Sequence, residues 1–154
     1  ILKEKNISFQ YTIIGEGKER ERLMFVTHQM GLNDSITFAG SIPHQDIIKY
    51  YKEADIYLQY STQEGFCNAV LEAQAMGLIT IVSDAEGLPE NVIDGETGWV
   101  VGKRNRRLLA EKIMDIISLD VSELNKIRKN AINRVNKEFN LATQKKRFLN
   151  FYQN

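Results

Sequence analysis

A chain of 154 residues, 43% of them hydrophobic and 26% charged, fits one globular domain that buries a core without disulfide staples. A single cysteine, Cys67, excludes an internal disulfide and suits a reducing compartment. No apolar run approaches the roughly 20 residues needed to span a bilayer, and the formal net charge is zero. In chain order, residues 8–14 (SFQYTII) read as a strand that ends at Gly15-Glu16-Gly17. Residues 18–30 read as a helix with Leu23, Val26, Thr27 and Met30 near one face and Gly31 as its C-terminal cap. Residues 35–39 form a short strand closed by Gly40, and 43–54 a helix with Pro43 near its first turn, where a missing N–H costs least. A strand over 56–59 is followed by a helix over 66–76 closed by Gly77. The run LITIV at 78–82 reads as a strand buried on both faces. A short helix over 89–93 and a last strand over 98–101 precede two amphipathic helices, 106–119 and 121–137, the second beginning at an Asp120 or Ser122 cap. A terminal helix over 141–152 follows a break at Phe139-Asn140. No internal repeat or low-complexity segment is visible.

Strands alternating with helices at this spacing argue for parallel βαβ units, an α/β class. A parallel sheet covered on both faces binds ligands outside the carboxyl ends of its strands. The loops at 15–18, 40–44, 60–68, 83–90 and 102–106 are therefore the ones to search. Charge is uneven along the chain. From Glu53 to Gly102 there is no Lys or Arg, while the tail carries Lys126, Arg128, Lys129, Arg134, Lys137, Lys145, Lys146 and Arg147. A solvated helix face is the ordinary reading of such a basic run, and contact with an anionic membrane surface or a phosphorylated acceptor is the sharper one.

Gly15-Glu16-Gly17 follows a strand, but the third glycine of a dinucleotide fingerprint is absent from GEGKER. A plain turn fits better, and nicotinamide dinucleotide binding is disfavoured. The segment Ser61 to Ala73 is more informative. It runs from a strand straight into a helix start, whose free N–H groups and positive dipole end bind phosphate. Gly65 removes the side chain where a phosphate would press close. Glu64 stands ahead of the helix, and Glu72 lies about two turns into it. Two carboxylates so placed can accept hydrogen bonds from hydroxyls at two points along one ligand. The bland alternatives are a dipole partner for Glu64 and a solvent-facing residue for Glu72, yet Glu72 stands alone among small apolar residues (Ala69, Val70, Leu71, Ala73, Ala75, Met76).

Glu64 and Glu72, with seven residues between them, resemble the E-x7-E signature of retaining GT-B glycosyltransferases, the large group 1 family. The resemblance runs over about residues 8–152. It takes in Gly15-Glu16-Gly17, Phe38-Ala39-Gly40-Ser41-Ile42-Pro43, Ala54-Asp55-Ile56, Ser61 through Phe66, Leu71 through Gly77, and Gly87 through Gly98. It implies a Rossmann-like parallel sheet flanked by helices, the C-terminal donor-binding domain of a GT-B enzyme. Carried over, Glu64 contacts donor-sugar hydroxyls as the catalytic candidate, and Glu72 holds the ribose. The amides of Asn68 and Ala69 face the diphosphate, and the loop around Ile42 clamps the base. Gly15, Gly17, Gly40, Gly65, Phe66 and Cys67 complete the expected donor-binding set. The donor is a UDP-, GDP- or ADP-sugar. No metal or other cofactor is expected: His28, His44 and Cys67 are isolated, and Cys67 has no cation beside it in sequence to activate a thiolate. The sequence departs from the family pattern at Tyr60, Cys67, Gln74 and Ile79. Glu86 replaces the first of two glycines and is expected to put a second acid beside the sugar.

Against the family pattern, residues 1–6 look like the end of a helix that follows a first strand. The expectation is therefore a single truncated domain over 1–154, with 138–152 as a crossover-type terminal helix. The sheet order 3-2-1-4-5-6 would lose its central strand, so that the flanking strands pair directly, another chain fills the hole, or the sheet distorts. A departing diphosphate needs positive charge, and 53–102 offers none, so the fragment alone is expected to bind donor weakly and to be inactive. The whole protein is expected to transfer a hexosyl group with retention to a sugar or lipid-linked acceptor. The rival readings are a non-catalytic nucleotide-binding module and a GT-B-fold UDP-sugar epimerase. A missing acceptor-binding domain, self-association of the fragment, peripheral membrane contact, a cytoplasmic location and no nucleic-acid partner complete the expectations.

Overall fold

The computed structural model describes residues 1–140 together with 142, 143, 145 and 149. The expected terminal helix over 141–152 falls otherwise outside the described residues. Of the apolar face that the sequence offers there, Phe148, Leu149, Phe151 and Tyr152, all but the exposed Leu149 lie outside the described residues. The chain forms two compact units, Ile1–Tyr50 and Tyr51–Asn154.

The first unit opens with a 3-10 turn at Lys3–Lys5, followed by β1 (Tyr11–Ile14), α1 (Arg20–Gln29), β2 (Ile36–Gly40) and the start of α2 (His44–Glu53). Strand β1 pairs with β2 in parallel, Tyr11 opposite Ile36. The strand expected from residue 8 begins only at Tyr11, whose N–H donates to the Ser35 carbonyl at 2.8 Å. Among the described residues of this unit only Thr27 is buried. Of the four residues expected near one face of α1, Thr27 is the buried one. Leu23, Val26 and Met30 are exposed, as are Met24 and Phe25. Residues 23–26 are consecutive, and at about 100° per residue they circle the helix rather than forming a stripe that two strands could cover.

The second unit holds the core. Strand β3 (Ile56–Gln59) leads to α3 (Asn68–Ala75), β4 (Ile79–Ser83), the short α4 (Leu88–Asn91), β5 (Trp99–Val101), α5 (Arg106–Ile117) and α6 (Val121–Glu138). The three strands make a parallel sheet in the order β3-β4-β5, with Ile56 opposite Ile79 and Ile81 opposite Trp99. All five residues of β4 are buried, as the continuous apolar run requires of a central strand covered on both faces. One face packs Val82 with Val70, Ala85, Leu88 and Val92. The other packs Ile79 and Ile81 with Val101, Ile116 and Ile127 from β5, α5 and α6. Gly77 ends α3 with φ 82°, and its N–H donates to the Gln74 carbonyl at 3.0 Å, the left-handed stop that a glycine supplies at no steric cost. Asp120 is the residue before α6 but makes no side-chain cap bond, whereas Asn105 caps α5 by accepting from the Leu108 N–H at 3.1 Å.

The fold is α/β with parallel sheets flanked by helices. The described strands form one two-stranded sheet in the first unit and one three-stranded sheet in the second. No helix among the described residues is long and apolar enough to cross a membrane.

Candidate functional site

The loop from Tyr60 to Cys67 joins the carboxyl end of β3 to α3, and surrounding elements pin it at several points. The Ser83 hydroxyl, at the end of β4, donates to the Ser61 carbonyl at 2.6 Å. The Gly87 N–H donates to the Glu64 carbonyl at 3.2 Å. The Cys67 N–H donates to the Asn91 Oδ1 at 3.1 Å. The Tyr60 hydroxyl donates to the Gly102 carbonyl. Gly87 is obligatory here. A Cβ on it would lie 2.3 Å from the carbonyl carbon and oxygen of Gly65 and 2.7 Å from the Phe66 nitrogen, all backbone atoms. At Gly65 the reverse holds: a Cβ would meet nothing within 4 Å. Packing within the protein therefore gives no reason for a glycine at 65, and the space beside it is open.

Glu64 is half-buried. Its Oε2 accepts from the Gln59 Nε2 at 3.1 Å and from the Ser61 hydroxyl at 3.0 Å, and Gln59 in turn accepts from the Tyr57 hydroxyl at 2.8 Å. The carboxylate is thus held at the end of β3 by side chains from that strand and its loop. Glu72, also half-buried, has its Oε2 3.2 Å from the Tyr51 hydroxyl, which donates to it and also reaches the Ala69 carbonyl at 3.4 Å. Burial raises the Tyr51 phenol far above its usual value of 10.0, and the charge and hydrogen bond of Glu72 raise it further. Tyr51 is therefore a fixed donor, and Glu72 is neither solvent-facing nor idle. Helix geometry leaves the Asn68 and Ala69 amides without intrahelical acceptors, at the positive end of α3.

The helix expected to start at Phe66 starts at Asn68. Cys67 N–H is taken by Asn91, and the Phe66 ring turns to Phe139, with centroids 5.7 Å apart. Cys67 is half-buried against the Val70 cluster. Glu86, expected beside the sugar as a second acid, is exposed and paired with Lys103 at 3.4 Å. Its own backbone N–H and then Lys103 hold its carboxyl below the usual 4.5. The cation-free stretch of sequence therefore has a cation beside it in space. In the first unit, Gly15 and Gly40 come together, with the Gly15 N–H donating to the Gly40 carbonyl at 2.7 Å, while Gly17 is exposed with open space at its Cα. Ile42 lies in the turn between β2 and α2 and is half-buried. Sequence reasoning gave no role to Tyr51, Gln59, Ser61 or Asn91. Ser61 and Asn91 lie inside the matched motif segments without being singled out, whereas Tyr51 and Gln59 lie outside them and hold Glu72 and Glu64 through side-chain bonds.

Residues 1–134 match the family model described as Glycosyl transferases group 1. The chain is 34% identical over 116 residues to the amylovoran biosynthesis glycosyltransferase AmsK of Erwinia amylovora, which covers 71% of this chain and 28% of that protein. The crystal structure of a glycosyltransferase from Rickettsia africae ESF-5 is similar with a TM-score of 0.89 and 27% identity, over 98% of this chain and 41% of that one. The structure of Anabaena Alr3699/HepE in complex with UDP is similar in fold, with a TM-score of 0.85 and 22% identity over 94% of this chain and 41% of that one. The chain spans about a third of the length of the curated relatives it matches.

Proposed function

Since the chain belongs to the group 1 glycosyl transferases, we propose that it is the donor-binding domain of a glycosyltransferase that takes a nucleoside-diphosphate sugar. The observation that carries this reading is the α3 entrance. A carboxylate fixed by Gln59 and Ser61 stands immediately before free helix amides, and a second carboxylate on the same helix is fixed by Tyr51. Amides at a helix start suit a diphosphate. Glu64 would orient the sugar hydroxyls, Glu72 would accept from the ribose, and Gly65 leaves room for the phosphates to approach the backbone. The nucleotide carries the leaving group, so the domain needs no redox cofactor and the reading invokes no metal. The segment 53–102 has no Lys or Arg. Charge to neutralise the departing diphosphate is then supplied by the rest of the protein, and the fragment alone binds donor weakly and does not turn over.

The reaction we infer is retaining transfer of a hexosyl group to a sugar or lipid-linked acceptor in polysaccharide assembly. The UDP held by the Anabaena structure supports testing UDP-sugars first. Calorimetric titration of the full-length protein with UDP, GDP and ADP identifies the base. Glu72→Ala is expected to weaken binding of the preferred nucleotide by roughly tenfold or more, the loss of one or two hydrogen bonds to a charged acceptor. An unchanged affinity would remove Glu72 from the site. Product analysis with a labelled donor separates transfer from epimerisation and from binding without turnover.

A further inference from the structure

Arg134 lies on α6, more than 60 residues from the loop it affects, and its whole guanidinium is engaged. Its Nη1 donates to the Asn91 carbonyl at 2.7 Å, its Nη2 to the Glu90 carbonyl at 2.8 Å and its Nε to the Glu138 carboxylate at 3.1 Å. The guanidinium carbon sits 4.9 Å from the centroid of the Phe139 ring. Two routes run from this point to the start of α3. Asn91, held at its backbone by Arg134, reaches back with its side chain, whose Oδ1 accepts from the Cys67 N–H. Phe139, held under the guanidinium, packs its ring against Phe66.

The Asn91 side chain is fully buried and its Nδ2 has no hydrogen-bond partner among the described residues. The bond to Cys67 is therefore the one polar contact, among the described residues, that orients the amide, and the position of the Asn91 backbone decides whether that bond can form. Only a planar fork can bridge two successive carbonyls while stacking on a ring and meeting a carboxylate. A lysine ammonium could satisfy one or two of these contacts.

We propose that Arg134 is a positioning residue for nucleotide binding: through Asn91 and Cys67 on one side, and Phe139 and Phe66 on the other, it sets the direction in which the Asn68 and Ala69 amides point. The proposal rests on the donor-binding reading of that loop and adds a part of the chain, the C-terminal end of α6, that the loop depends on.

The test uses the full-length protein, with UDP, GDP and ADP as probes. If the wild type binds none of them, the donor reading itself fails, and Arg134 has nothing to position. If the wild type binds, Arg134→Ala is expected to weaken that nucleotide by about tenfold, and Arg134→Lys to recover only part of the loss. Arg128→Ala, which removes a cation that bonds within the same helix to Asn125, is expected to change nothing. Millimolar guanidinium ion should restore affinity to Arg134→Ala and leave the wild type unaffected. Hydrogen exchange in Arg134→Ala should accelerate at residues 66–69 while β4 keeps its protection. Unchanged affinity in Arg134→Ala overturns the proposal. So does a loss without guanidinium rescue in which β4 exchanges faster as well, since that pattern marks a general loss of stability. If Arg134→Ala does not fold, Phe139→Leu tests the second route alone. A severalfold weakening with faster exchange at 66–69 supports the proposal, and wild-type affinity overturns it.

Discussion

At the scale of single residues, the α3 entrance is a set of short-range constraints. Tyr51 donates to Glu72 across 21 positions of sequence, and its removal has a defined cost. Tyr51→Phe should lower stability by about 1 kcal/mol, the usual net value of one hydrogen bond, read as a shift in the denaturation midpoint. The pH dependence has a clear sign. The folded phenol holds its proton above 10.0, the value at which the unfolded one ionises. The stability it contributes is therefore intact below 10.0 and declines as pH rises beyond it. In Tyr51→Phe this part of the alkaline slope should vanish. Gly87→Ala places a methyl on the backbone of Gly65. A cost of about 1 to 3 kcal/mol is expected from such overpacking, together with weaker nucleotide binding, because the atoms that must yield belong to the loop itself. Glu64 and Glu72 were legible in the sequence as two acids around a helix start. Their holders were not, since Tyr51 and Gln59 carry no motif of their own.

At the scale of elements, α3 shows how a helix is fixed in place from its far side. The fully buried Gln74 donates from Nε2 to the Thr80 hydroxyl at 3.3 Å and to the Thr97 carbonyl at 3.2 Å, which links α3 to β4 and to the turn before β5. Its Oε1 has no hydrogen-bond partner among the described residues. The network is therefore partly satisfied, and a similar apolar volume should serve nearly as well. Gln74→Met is expected to change stability by less than about 1.5 kcal/mol, whereas Gln74→Ala, which leaves a cavity, should cost about 2 to 4 kcal/mol. Thermal melts of the two variants distinguish packing from hydrogen bonding as the role of this residue. The boundaries of α3 show the limit of periodicity. The apolar pattern extends back to Phe66, but the helix starts at Asn68, because Phe66 and Cys67 are claimed by Phe139 and Asn91. In α1 the pattern placed Leu23, Val26, Thr27 and Met30 near one face, and of these Thr27 is buried while the other three are exposed.

At the scale of the whole molecule, the two units differ in how much they bury. The second has apolar clusters on both faces of β4. The first pairs two strands and buries Thr27 alone among its described residues, and a two-stranded sheet is marginal by itself. Amide exchange should therefore be slowest in β4 and at least about tenfold faster in β1 and β2, measured residue by residue in the native state. Comparable protection in β1 and β4 would contradict this account. The sequence by itself determined the α/β class, the central place of β4, the strand-to-helix loop at 60–68 and the family, since these follow from local runs and spacings. Tertiary structure alone decided that Glu86 meets Lys103, that Tyr51 holds Glu72, that Arg134 meets the Asn91 carbonyl and that Asn91 reaches Cys67 at the start of α3. Those contacts join residues 17 to 43 positions apart. They exist only once the strands and helices have packed, and nothing in the local order of residues encodes where a distant side chain will arrive.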